Sequence, residues 1–136
     1  MDQSSYPLEN SWYVLEGIDS PRTYVFRGIV AHGLRGLDFL ASRPEIDAKR
    51  LAVMGASQGG GLSLLLAALD RRVSLAAADF PFLSDWQGST EKAAGSYGEL
   101  RRHLGENPDK RDAVMRTLDY FDALHAARLV RAPTLV

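Results

Sequence analysis

An α/β fold built on a parallel sheet is what this sequence predicts, and three observations predict it. Two strand-length apolar runs, Leu51–Met54 and Val73–Ala78, alternate with longer stretches of helical periodicity. The second run is apolar at almost every position, as in strands covered on both faces of a parallel sheet. Alternation of helix and strand along the chain is itself the mark of this class.

Taken in order, residues 1–19 are polar and irregular, with Trp12-Tyr13-Val14-Leu15 as their one apolar cluster. Ser20-Pro21 reads as a helix start, serine as N-cap and proline in the first helical position. From there Val25, Ile29, Gly33, Leu37 and Leu40 recur every three or four residues, which predicts a helix over 22–42, ended by Pro44. Glycines 28, 33 and 36 each cost that helix up to about 1 kcal/mol, and close approach to a sheet is their expected use. Leu51–Met54 is expected as a central strand and 58–69 as a helix, with Val73–Ala78 beside the first strand. A Gly/Ser-rich excursion follows, then helices near 97–104, 109–117 and 119–129. Thr134–Val136 begins a further strand beyond Val73–Ala78.

Composition narrows the function classes. A chain of 136 residues with 46% hydrophobic residues can build one domain with a real core. Sixteen basic and seventeen acidic residues leave a net charge of −1, no basis for binding nucleic acid or an anionic membrane. No signal-peptide pattern is visible, and the longest apolar stretch, Leu62–Leu69, is too short to span a bilayer. Zero cysteines exclude disulfides, thiolate metal sites and a cysteine nucleophile, and fit a cytoplasmic location. No His, Asp or Glu pair has metal-ligand spacing with a convergent partner, so neither metal nor cofactor is expected.

The most informative residues are Gly55-Ala56-Ser57-Gln58-Gly59. A strand, a turn with glycine two places either side of a serine, then an apolar helix is the context of a nucleophile elbow. Side chains at 55 and 59 are expected to collide with the crossing strand and helix. The turn would lift Ser57 above the sheet at the positive end of the following helix, where a developing oxyanion is favoured. The competing reading is a glycine-rich turn whose serine merely caps the helix.

Four segments occur together in order: Arg22-Thr23-Tyr24-Val25-Phe26-Arg27-Gly28, the elbow extended through Gly60-Gly61, Ala78-Asp79-Phe80-Pro81-Phe82-Leu83, and Thr117-Leu118-Asp119-Tyr120-Phe121-Asp122. From about Tyr13 to Val136 the chain resembles the acetyl xylan esterase / cephalosporin C deacetylase family of α/β-hydrolases, with His125 where that family commonly carries asparagine. The resemblance implies an incomplete α/β-hydrolase fold, a mostly parallel sheet flanked by helices, with the elbow at 51–69 and a helical insertion at about 84–130. It implies a serine carboxylesterase that removes acetyl groups from acetylated sugars, xylan or cephalosporin-like esters, without a cofactor, and homo-oligomeric in the complete family member. Ser57 would attack the ester carbonyl and the Gln58 backbone N–H would form one arm of the oxyanion hole. The alternatives are a serine peptidase or thioesterase of the same fold, or a non-catalytic α/β module.

A serine nucleophile needs a histidine base oriented by a carboxylate, in the chain order Ser, acid, His. His32 precedes the serine, and His103 and His125 lie within helices, so none is the expected base. The family places acid and histidine at positions that fall past Val136, and the second oxyanion donor before Met1. The chain is thus expected to be the middle of a hydrolase domain and a poor esterase by itself. Asp79 is an internal candidate for the acid, though a cap on the turn into Phe80-Pro81 is the favoured reading. Phe80, Phe82, Leu83 and Trp86 either wall a substrate pocket or belong to the core; Phe82 and Trp86 are taken as substrate-binding candidates.

Overall fold

The computed structural model describes residues 13–92 and 95–136. After a 3-10 turn at Tyr13–Leu15 come α1 (Val25–Ala41), β1 (Leu51–Ala56), α2 (Gln58–Leu69) and β2 (Val73–Asp79). Then follow α3 (Trp86–Lys92), α4 (Ser96–Glu106), α5 (Arg111–Asp119), α6 (Ala123–Ala126) and β3 (Thr134–Leu135), with 3-10 turns at Pro108–Lys110 and Ala127–Leu129. Of the apolar cluster at 12–15, Trp12 lies outside the described residues.

The three strands are parallel, in the order β1-β2-β3. Leu51 pairs with Val73 and, after an irregularity, Ala52 pairs with Leu75 and Ala56 with Asp79. Ala76 and Ala77 face Thr134 and Leu135. The order is the expected one, with Val73–Asp79 beside Leu51–Ala56 and Thr134–Leu135 beyond; among the described residues β2 is the middle strand.

Helix α2 is apolar all round, the pattern of a buried helix. It packs on both β1 and β2 and touches α1 and α6. One face of the sheet is covered in this way: Leu51, Val73 and Ala76 are buried with Leu37 and Ala67. The other face is open, with Met54 83% and Leu75 51% exposed. The expectation of a strand at 73–78 covered on both faces therefore holds for one face only among the described residues.

The largest core cluster lies among the helices rather than under the sheet. Phe26, Leu65, Trp86, Leu100 and Leu118 meet there. Two of the segments that stood out in the sequence converge on it. Tyr24 is buried, its hydroxyl donates to the Val14 carbonyl at 3.0 Å, and its ring lies edge-on to Phe121 at 5.3 Å. Burial of that phenol pushes its pKa up, so the hydroxyl stays a donor.

Two expectations about α1 change. It starts at Val25, after a turn in which the Ser20 carbonyl accepts from Thr23 and Tyr24 N–H. Tyr24, not Ser20, is the N-cap residue, and Ser20 Oγ serves the turn by accepting from Arg22 N–H at 3.3 Å. The glycines also differ from their expected use. Nothing approaches the Cβ positions of Gly28 and Gly36, whereas one at Gly33 would lie 2.9 Å from Leu66 of α2. The close approach is helix to helix, not helix to sheet.

Candidate active site

β1 runs through Gly55-Ala56 and stops at Ser57, which has φ 52° and ψ −118°. That is a conformation L-residues rarely adopt, and it costs of order 1–3 kcal/mol. The backbone around it is secured on three sides. Ser57 N–H donates to the Asp79 carbonyl at 2.9 Å, and the Ser57 carbonyl accepts from Gly61 N–H at 3.1 Å and Phe82 N–H at 2.9 Å. Ser57 sits at the N-cap position of α2 yet its side chain makes no cap hydrogen bond, and the residue is exposed. The helix-capping alternative for this serine is thereby removed. Gln58 opens α2, so its N–H is among the unpaired amides at the positive end of the helix.

The glycines around the turn are used unequally. A Cβ at Gly55 would lie 2.5 Å from the Gly59 carbonyl carbon, as the crossing helix demands. A Cβ at Gly59 would meet nothing within 4 Å, which corrects the expected collision there. Gly59 instead borders an open groove of about 650 Å³ between α1 and β1. The tight positions are the next two: a Cβ at Gly60 would lie 2.9 Å from the Asp79 carbonyl oxygen, and one at Gly61 1.9 Å from that of Phe82. The Gly59-Gly60-Gly61 run was the visible signal for that contact. Its direction, toward the loop after β2, was not.

Tyr13 is a neighbour of the candidate site that the sequence did not reveal. Its hydroxyl donates to Gln58 Oε1, and its ring lies 6.1 Å from that of Phe26. Partial burial pushes the Tyr13 phenol above its ordinary value, which keeps the donor proton in place. Forty-five positions of sequence and a change of element separate the two side chains, so no local pattern could have paired them.

The other candidates separate into distinct places. Asp79 is exposed and contributes its backbone carbonyl to Ser57; no side-chain cap on the following turn is present, contrary to expectation. Trp86 is 1% exposed, packed edge-on against Phe82 and Tyr97 at 5.2 Å each, and is a core residue rather than a pocket wall. Leu83 is likewise buried, Phe80 is exposed, and Phe82 is half-buried with its backbone against Ser57. A cavity of about 480 Å³ beside the elbow is lined by Met54, Gly55, Ala56, Ala77, Asp79 and Leu135 among others, and by neither Phe82 nor Trp86.

His32 is exposed on α1, and His103 lies half-buried in α4. His125 on α6 is 3.6 Å from Asp119, both exposed. Among the described residues Ser57 is hydrogen-bonded to no histidine, no cluster of three or more metal-ligating side chains occurs, and no helix is long and apolar enough to cross a membrane.

A parallel sheet with an outward serine, held in a left-handed turn between strand and apolar helix, defines a chain of the α/β-hydrolase fold. The profile of the acetyl xylan esterase (AXE1) family matches residues 2–136, and the chain belongs to that family. It is 34% identical over 134 residues to acetyl esterase Axe7A of Xylanibacter ruminicola, covering 98% of this chain and 29% of that protein. Among solved structures it is similar to the acetyl xylan esterase from Paenibacillus sp. R4, with 40% identity and a TM-score of 0.86 over 98% of this chain and 44% of that one. It also resembles acetyl xylan esterase 1 from Thermoanaerobacterium sp. JW/SL YS485, with 29% identity and a TM-score of 0.82 over 96% of this chain and 43% of that one. The chain thus spans less than half the length of these relatives.

Proposed function

We propose that the full-length protein carrying this chain is a serine esterase that removes acetyl groups from acetylated sugars, xylan among them. The observation that carries the reading is Ser57 itself: exposed, in a costly left-handed turn, and not used to cap α2. Attack of Ser57 Oγ on the acetyl carbonyl gives a tetrahedral oxyanion, which the Gln58 N–H at the positive end of α2 stabilises. Collapse releases the sugar hydroxyl and leaves an acetyl-serine, which water then hydrolyses to acetate. Both steps need a histidine base and its carboxylate partner. In this reading they come from positions after Val136, as the family resemblance implies. Acetyl esters of cephalosporin type suit the same chemistry. The reading extends to a cytoplasmic homo-oligomer, on the cysteine-free composition and the family resemblance respectively.

Full-length protein should release acetate from acetylated xylo-oligosaccharides, and a fluorophosphonate probe should label it at Ser57. Ser57→Ala should lower kcat by about 10⁴- to 10⁶-fold with KM little changed. A variant that kept more than about a tenth of the activity would move the nucleophile elsewhere. Cleavage of peptide amides without acetate release would replace the esterase reading by a peptidase one. Absence of both labelling and turnover would leave a binding module.

A further inference from the structure

We propose that Asp122 is a positioning residue for the nucleophile, its buried carboxylate holding the strained segment 80–85 against the back of the Ser57 turn. The proposal rests on the reading of Ser57 as nucleophile. Segment 80–85 links β2 to α3, and three of its six residues, Phe80 (φ 32°), Leu83 (φ 65°) and Asp85 (φ 50°), are in the left-handed region without being glycine. A short loop with that much unfavourable backbone persists only when its surroundings over-determine it.

Asp122 supplies much of that determination. It is 3% exposed and no described cation pairs with it; three backbone amides satisfy it instead. Oδ1 accepts from Asp85 N–H at 2.9 Å and from Leu124 N–H at 2.8 Å, and Oδ2 accepts from Trp86 N–H at 3.0 Å. One carboxylate thereby pins the end of the strained loop and the start of α6. The adjoining Ala123 N–H donates to the Leu83 carbonyl at 2.7 Å, and Tyr97 Oη donates to the Ser84 carbonyl at 3.0 Å.

The loop passes this constraint on to the nucleophile. Phe82 N–H holds the Ser57 carbonyl, and Asp79, just before the loop, holds the Ser57 N–H. No slack separates loop from helix, because a single added carbon at Gly61 would overlap the Phe82 carbonyl. Both peptide groups of Ser57 are thus fixed by residues within or next to the segment that Asp122 anchors. The Thr117–Asp122 motif, distant from the elbow in sequence, acquires a task in the geometry of the elbow.

Two variants of the full-length protein test this. The hydroxyl of Asp122→Ser can still accept from the local Leu124 N–H and cap α6, but it offers one oxygen where the carboxylate uses two to hold the amides at 85 and 86. Asp122→Asn keeps one acceptor oxygen and turns an amide donor toward the Trp86 N–H in place of Oδ2. Misplacement of the nucleophile should lower kcat by about 10- to 100-fold in folded Asp122→Ser, and by less in Asp122→Asn, with KM within about threefold of the parent. Fluorophosphonate labelling of the folded fraction should slow in the same order. Folded variants that melt earlier yet keep the parent kcat would overturn the proposal and leave Asp122 a cap. Should neither variant fold, amide exchange in the unaltered protein decides. The N–H groups of Phe82, Asp85 and Trp86 should be protected together, and an unprotected Phe82 beside protected Asp85 and Trp86 would break the chain of constraint. Activity surviving in Ser57→Ala would instead undo the underlying nucleophile reading.

Discussion

The two ends of the parallel sheet are built on opposite terms. At the carboxyl ends of β1 and β2 lie Ser57, Phe80, Leu83 and Asp85, all the non-glycine residues with positive φ among the described ones. Backbone there touches backbone, with glycines at 55, 60 and 61 admitting the contact. At the amino end of β2 no residue from Asp70 to Leu75 has a positive φ, and side-chain charges do the holding. Arg72 Nε donates to Asp70 Oδ1 at 2.9 Å while its Nη2 reaches Asp38 on α1 at 2.6 Å. Unfavourable geometry is gathered at the end where the candidate nucleophile sits, and conventional stabilisation at the other. Non-glycine residues in such conformations cost about 1–3 kcal/mol each and cluster at functional sites.

The comparison is most exposed to Gly61→Ala. With Phe82 O 1.9 Å from the new carbon, backbone must move, and full-length protein should lose about 3 kcal/mol of stability in urea denaturation. A variant as stable as the parent would mean that the carboxyl end is slack.

The charged end should respond to pH instead. The Arg72 guanidinium, hydrogen-bonded to Asp70, holds that carboxyl below its ordinary 3.8. A lowered folded-state value means the unfolded chain takes up the proton first. The stabilisation is therefore complete above about pH 5 and is lost as pH falls through the folded-state value. The stability gap between the parent and Asp70→Asn should be constant above about pH 5 and narrow below about pH 4. A gap indifferent to acid would show that the carboxylate charge is not what Arg72 uses.

The smallest effect is expected at Gly59→Ala. Its Cβ enters open space and alanine is the better helix former, so stability should stay level or rise by up to about 1 kcal/mol. A loss comparable to that at Gly61 would mean that all three glycines are equally constrained.

Much of the fold could be read directly. The order of strand, helix and strand from Leu51 to Asp79 follows from apolar runs and glycine punctuation, which are local properties. So does the place of Ser57, since strand, turn and helix adjoin it in sequence. The helix start was misread because Ser20 and Pro21 are equally suited to a turn, and the structure uses them for one. The role of Gly59 was misread because spacing around a serine cannot tell which glycine faces backbone. The anchoring of Gln58 by Tyr13 and of Asp85 and Trp86 by Asp122 were out of reach for another reason. Each joins residues tens of positions apart, and nothing in either local pattern names the other partner.

The backbone at position 57 has a consequence for how the sequence can change over time. Its φ of 52° and ψ of −118° suit glycine better than serine, so the fold alone would favour losing the side chain. On the proposed function, serine is held there only while its hydroxyl is useful. Once that use lapsed, substitution by glycine would relieve strain and meet no opposition from selection acting on stability. Glycine at this position, in an otherwise intact copy of the fold, would be the mark left by a lineage that had given up the chemistry and kept the scaffold.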